Sequence, residues 1–400
     1  MINNVKKRLN LEKISICMIY VYICSLCISR WNAVYSISLS FLVLLFFLLY
    51  YKKKIGYVVF PDIKFNLLYW PFFICIFVSS IFLGDLEPIG HSINYLYGSM
   101  PFFIMLFSCQ YNLRNEYIIL AISTSIIVLS GYALIQFIAT PVLRVSGLFG
   151  HPNHFATVMS LNLTYLISLS TQAKSYKRLL KCIIAFSICV GILALTLSGS
   201  RGSFLGVISA GIITFILHCT TVHVSVKEKI KVAMIFVGLL LTFIGGIYFI
   251  GNQKVSNSYD NERIKLLLSS YEMWNEHKVL GVGLTNWSEE YQEKYIRHDA
   301  KEPDLNIPHN VLAYFFSTTG ILGGIGYLLY TFGICGYMYK ELRKTPQNMF
   351  ILAFLWSSLS ITIHGLVDVG IMLNNAFKLY SGFLGITMAS IVCHSDDKDA

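Results

Sequence analysis

Charge is what this sequence has least of: Asp, Glu, Lys and Arg make up 13% of its 400 residues, against about a quarter in ordinary soluble domains. The shortage is not local, since apolar runs recur from residue 14 to residue 393. A soluble enzyme, a disordered chain and a secreted disulfide scaffold are excluded on that ground. Ten cysteines are present, but each lies in or at the edge of an apolar run and none falls in the polar stretch 251–309, so they read as small buried apolar side chains rather than bridges. Metal signatures are missing from the polar clusters described below: no His-Glu-x-x-His and no Asp-x-Asp occurs there, and no metal site is expected. Gly281-Val-Gly283 is too short for a nucleotide loop, and residues 1–200 show no repeat in 201–400.

What is abundant is apolar: 55% of the chain. Crossing a hydrocarbon layer takes about 20 such residues in a helix, and lipid-exposed backbone must bond within its own segment. The expected fold is therefore all-α, a polytopic membrane protein with about twelve spans. These are 14–29, 33–51, 66–83, 92–110, 117–139, 154–172, 182–198, 203–222, 232–250, 311–338, 349–367 and 377–393. Lys6, Lys7 and Arg8 precede the first run as in a signal peptide, yet eleven more runs follow, so it reads as a retained helix. The chain divides into helices 1–9 (residues 1–250), one long loop with short amphipathic helices (251–309), and helices 10–12 with a tail (310–400).

Orientation follows from the basic residues. With a cytoplasmic N-terminus, twenty Lys and Arg fall on the cytoplasmic side and only Arg30, Arg144, Arg201 and Lys378 in the opposite short connections. Both termini are then cytoplasmic. The net charge of +10 is mainly this bias, not a nucleic-acid footprint, and no nucleic-acid partner is expected.

On that topology the uncommon polar groups gather on the outer face. The connection before span six reads Arg144-Val-Ser-Gly-Leu-Phe-Gly-His151-Pro152-Asn153-His154, and spans seven and eight join through Ser198-Gly-Ser200-Arg201-Gly202-Ser203. Arg201 opposes the orientation rule. Either it snorkels to lipid phosphate, or it clamps an anion in a cavity, which the guanidinium fork suits, with Gly199 and Gly202 admitting close backbone approach. In the long loop, Ile264, Leu267, Leu268, Tyr271 and Trp274 form an apolar stripe that predicts a helix over 262–277 lying on the membrane face. Arg263 near its start either meets the same anion or is solvated beside Asp260 and Glu262. A second helix is expected near 288–297.

Pro308-His309-Asn310 opens span ten. A histidine there either takes a proton from a hydroxyl or holds the helix start. His151, beside a Pro-Asn turn, favours a helix-start role. His364 and Asp368, one turn apart at the outer end of span eleven, either line the same cavity or bond to each other and hold helices together.

In their order, Gly147-Leu-Phe-Gly-His-Pro-Asn153, Ser200-Arg201-Gly202, Arg263 some twenty residues before Gly281-Val-Gly283, Pro308-His309-Asn310 and Gly320-Ile-Leu-Gly323 resemble the O-antigen ligase and polymerase superfamily of bacterial inner membranes. The motifs cover roughly residues 140–330; the N-terminal third carries none. The resemblance implies a glycosyltransferase that moves glycan from an undecaprenyl-diphosphate carrier, without cofactor, to a sugar hydroxyl at the periplasmic face. In the ligase the acceptor is the lipid A-core oligosaccharide, completing lipopolysaccharide; in the polymerase it is the growing chain's repeat unit. Motif spacing favours the ligase. By the same resemblance Arg201, Arg263 and His309 are the catalytic residues, the two arginines on the donor diphosphate. Arg144, His151, Asn153, Asn310, His364 and Asp368 are expected around the acceptor or the cavity. A transporter of lipid-linked glycan is the rival reading, disfavoured because no halves repeat and the motifs sit on one face.

Overall fold

Two-sided apolar helices set the architecture. In α2 (Ile63–Leu83), Phe65, Tyr69, Phe72, Phe73 and Ile76 are buried while Ile63, Leu67, Ile74 and Ile81 stand exposed on the other side. A soluble helix would be polar there, so this outward face fits lipid. The computed structural model describes residues 2–28, 60–84, 86–112, 115–171, 176–222, 258–300 and 305–399, with Val43 and scattered positions between 224 and 241. The expected span 33–51 apart from Val43, most of span 232–250, and residues 251–257 and 301–304 of the long loop lie outside the described residues.

Among the described residues every regular element is helical. Besides α2, the long helices in chain order are α1 (Ile2–Ile28), α3 (Leu86–Gly98), α4 (Met100–Asn112), α5 (Asn115–Ala139), α6 (Pro152–Ser170), α7 (Arg178–Leu197) and α8 (Arg201–Thr221). Then follow α9 (Ser258–Glu276), α10 (Val311–Leu328), α11 (Ile334–Lys344), α12 (Met349–Gly365) and α13 (Asn374–Asp399). Among the described residues five stretches are long and apolar enough to cross a membrane: α2, α5, α7, α8 and the composite Val311–Lys344. Ile16–Ile28 and α12 are shorter apolar helices. This is the pattern of a polytopic membrane protein.

Four expectations need correction. Span 92–110 is not one helix but two, α3 and α4, parted at Ser99 just before Pro101. Span 311–338 is a chain of pieces: α10 breaks at Gly320, and a π-helical turn (Leu329–Gly333) leads into α11. The helix expected over 288–297 is a single turn, Trp287–Glu290, followed by a π turn, Tyr291–Tyr295. Nor are the cysteines uniformly buried: Cys27, Cys109 and Cys335 are, whereas Cys17, Cys182 and Cys189 are exposed on apolar helices. Cys24 and Cys27, paired in sequence as Cys-Ser-Leu-Cys, carry free thiols.

Helix starts are marked by side chains. Asp62 accepts from the Phe65 amide (2.9 Å), Asn310 from Ala313 (2.9 Å) and Asn348 from Phe350 (3.1 Å). At the centre α12 packs on α8 and α6, α13 on α4, and α10 on α2 and α9. Helix α6 is enclosed by its neighbours, which is why Ser160, Asn162 and Thr164 are tolerated in it fully buried. Gly206 of α8 brings that helix against α12, because a Cβ would lie 2.5 Å from the Ser360 carbonyl oxygen.

Candidate active site

The starts of α6, α8, α10 and α13 and the end of α12 meet at one end of the bundle, and Asp368 lies at the junction. It occupies the turn between α12 and α13, only 3% exposed. Its carboxylate accepts from the Asn153 amide, from Arg263 (Nη2, 3.4 Å), from His309 (Nδ1, 3.4 Å) and from its own neighbour's amide, Val369 (2.8 Å). Asn153 in turn accepts from Arg144 Nη2 at 2.6 Å, and Arg144 Nε donates to the Ser198 carbonyl at 2.8 Å. Five expected site residues, Arg144, Asn153, Arg263, His309 and Asp368, thus form one connected network.

Burial alone would raise the Asp368 pKa. The hydrogen bond from His309, the fields of His364 and His309, and the Val369 amide outweigh it and hold the carboxyl well below the usual range. Burial lowers the Arg144 pKa, Asp368 opposes this, and Arg263 and Arg201 add to it, so three guanidiniums share one neighbourhood. Among Arg144, Arg201, Arg263 and Asp368, positive charge exceeds negative. Burial likewise lowers the His151 pKa, which favours the neutral imidazole.

Arg263 is not the solvated residue of the alternative reading. Glu262 is buried and pairs with Lys265 at 2.9 Å, while Arg263, 37% exposed at its side chain, turns to Asp368. Arg201 is the first residue of α8, exposed, one residue from Ser200, whose hydroxyl meets that of Ser203 at 3.0 Å. The glycine beside it serves a different end from the one expected. A Cβ on Gly202 would press on Val367 (2.8 Å) and His364 (2.9 Å), so Gly202 seats α8 on α12 rather than admitting a ligand.

His309 has φ +49°, the left-handed region, and is the one non-glycine residue there among those described. Holding such a backbone costs about 1–2 kcal/mol and is concentrated at functional sites. Asn310 caps α10 and also donates to the Leu366 carbonyl at 2.8 Å, tying α10 to the end of α12. His151 caps α6, its Nδ1 accepting from the Asn153 amide at 3.2 Å. His364 does not serve as the partner of Asp368. It is fully buried, its Nδ1 3.2 Å from the hydroxyls of both Thr157 and Ser203. Thr157 escaped sequence reading, because a small hydroxyl in an apolar helix carries no local signal, and Ser203 entered it only as the last residue of the connection between spans seven and eight.

The long loop is clasped to the break in α10. Val282 and Gly283 donate to the carbonyls of Ser317 (2.9 Å) and Thr318 (2.8 Å), and Ile321 donates to Lys278 (2.8 Å). This crossing, not a ligand, is what Gly281-Val-Gly283 and Gly320 provide. Among the described residues no three His, Cys, Asp or Glu side chains converge as a metal set.

Residues 184–328 match the family model described as O-antigen ligase. Over that stretch, a little over a third of the chain, the protein is similar to the O-antigen ligase family. No curated protein matches it. The match supports a glycosyltransferase-type function of the O-antigen ligase and polymerase kind. The matched O-antigen ligase region holds Arg201, Arg263 and His309 but ends before His364 and Asp368 and begins after Arg144 and Asn153. The network joins the region to its flanks.

Proposed function

We propose that the protein is an O-antigen ligase: it moves polysaccharide from undecaprenyl diphosphate to the lipid A-core oligosaccharide at the periplasmic face of the bacterial inner membrane. The observation that carries this is Asp368 joining Arg263 and His309. One carboxylate holds a cation for the leaving group and an imidazole for the nucleophile at the same point.

His309 donates Nδ1–H to Asp368, which fixes the tautomer and leaves Nε2 as the acceptor. Nε2 takes the proton of an acceptor hydroxyl as its oxygen attacks the anomeric carbon, a contribution of roughly 10²–10⁴ in rate. The bond from that carbon to the phosphate oxygen breaks, and the electron pair leaves with undecaprenyl diphosphate. Arg201 and Arg263 meet the growing charge with forked N–H donors. Arg263 exchanges Asp368 for the diphosphate when donor binds. A single displacement of this kind inverts the anomeric configuration.

The twelve-span topology, with cytoplasmic termini and residues 251–309 as a periplasmic loop, belongs to the same proposal and is supported by the distribution of Lys and Arg. Gene deletion followed by lipopolysaccharide gel electrophoresis is the test. Core alone, with polymer stranded on its carrier, is the expected result. Core bearing one repeat unit would make the protein a polymerase, and an unchanged ladder would overturn the reading.

A further inference from the structure

Beside the polar network a cavity of about 290 Å³ opens that none of the chemistry above uses. Its position ties it to His309 and Asp368: Ile307 and Val369 line it, and so does His154, next to Asn153. The break between α3 and α4 frees α3 to form the opposite wall, where His91 and Asn94, three residues apart, share one face. Asn374, at the start of α13, adds a second side-chain amide. Tyr95, Tyr314 and Phe377 supply aromatic surface, Tyr95 and Phe377 meeting edge to face at 5.5 Å. Tyr314 has already spent its hydroxyl on the Leu284 carbonyl at 2.5 Å, so it offers the cavity its ring.

No Asp, Glu, Lys or Arg lines the cavity among the described residues. An ionised sugar would lose water there without a counter-ion. A neutral pyranose suits the lining: its C–H face is drawn to electron-rich ring faces, and its hydroxyls pair with amides and imidazoles. The volume, at the low end for small-molecule pockets (roughly 300–1,000 Å³), suits one sugar ring.

We propose that this cavity is the subsite for the neutral terminal pyranose of the acceptor, with His91, Asn94 and Asn374 reading its hydroxyls; the proposal rests on the ligase reading above. The acceptor, not the donor, is assigned because Ile307, two residues before His309, and Val369, next to Asp368, line the cavity, and His309 is the residue proposed to receive the acceptor's proton.

The test uses the full chain in proteoliposomes, with undecaprenyl-diphosphate-linked glycan and lipid A-core extracted from the deletion strain. Asn94→Ala and His91→Ala each remove a hydrogen-bonding group from an exposed position. Each is expected to raise the KM for lipid A-core about tenfold, with kcat and donor KM within about twofold. Asn94→Trp, which fills the space from the same exposed site, raises it further. Unchanged acceptor KM in all three, or a rise in donor KM instead, overturns the subsite while the ligase reading stands. Wild-type protein that moves no glycan onto lipid A-core overturns both.

Discussion

Asp368 shares two oxygens among four donors, so its charge state governs the site. In an unfolded chain an aspartate titrates near ~3.9; here its pKa is depressed, chiefly by the bond from His309 and the fields of His364 and His309 working against burial. A group whose folded pKa lies below its unfolded value contributes stability at and above the unfolded value and loses it as pH falls. Replacing Asp368 by Asn should therefore destabilise the protein by about 2 kcal/mol at neutral pH, the scale of a hydrogen bond to a charged group. Melting in detergent, followed by intrinsic fluorescence, checks it: the gap between wild type and variant should be constant above about pH 5 and close below pH 4. A gap that widens on acidification would mean the carboxyl is neutral in the folded protein. The arginines answer to a different measurement. Arg263→Ala should lower glycan transfer by roughly 10²–10³ at unchanged membrane level, as for loss of one preorganised donor. Arg201→Lys should be nearly as severe, because an ammonium cannot supply the two parallel bonds of the fork. Wild-type rates in both would remove the clamp.

At the scale of elements, the clasp between the long loop and α10 depends on two glycines. Gly281 has φ +69°, and a Cβ there would lie 2.3 Å from the Thr318 carbonyl carbon; Gly320 has φ +64°, and a Cβ would lie 2.1 Å from the Val279 carbonyl oxygen. Both neighbours are backbone and cannot turn aside. Gly320→Ala or Gly281→Ala should cost several kcal/mol, well above the roughly 1 kcal/mol of an ordinary glycine replacement. Limited proteolysis in detergent should then cut 258–300, where wild type resists; equal resistance would show that the crossing is not what holds the loop. This clasp marks where sequence reading ends. Caps such as Asp62, Asn310 and His151 act within a few residues, so they are legible locally, and so is the helix carrying Arg263. The stripe of Ile264, Leu267, Leu268 and Tyr271 is legible too, but it faces outward while Leu266, Ser269, Ser270 and Met273 face the protein. What Gly281 meets is set some forty residues away. Asp368 is further still, 59 residues from His309, 105 from Arg263 and 215 from Asn153. Such residue types at those separations give no periodic signal, so the sequence could offer Asp368 a place in the shared cavity or a bond to His364, its neighbour in the chain, without naming its actual partners.

Across the whole molecule, the direction of each helix makes the site's location testable. Helices α6, α8, α10 and α13 begin at the network and α12 ends there, so the opposite ends of these helices carry the other set of connections. At that far end stand Lys177, Arg178 and Lys181 before and within α7, and Lys340, Arg343 and Lys344 in α11. If cytoplasmic Lys and Arg fix orientation, the network opens outward, away from these clusters. Single cysteines at 201, 309 and 343, in a chain stripped of its native ten, separate the two ends. With the outer membrane permeabilised, an impermeant maleimide should label positions 201 and 309 in cells whose inner membrane is intact, and position 343 only after lysis. The converse pattern would place the arginines beside the cytoplasm, where polymer on its undecaprenyl carrier and lipid A-core could not meet in the manner proposed. It would then force the positive-inside count and the chemistry of the site to be explained separately.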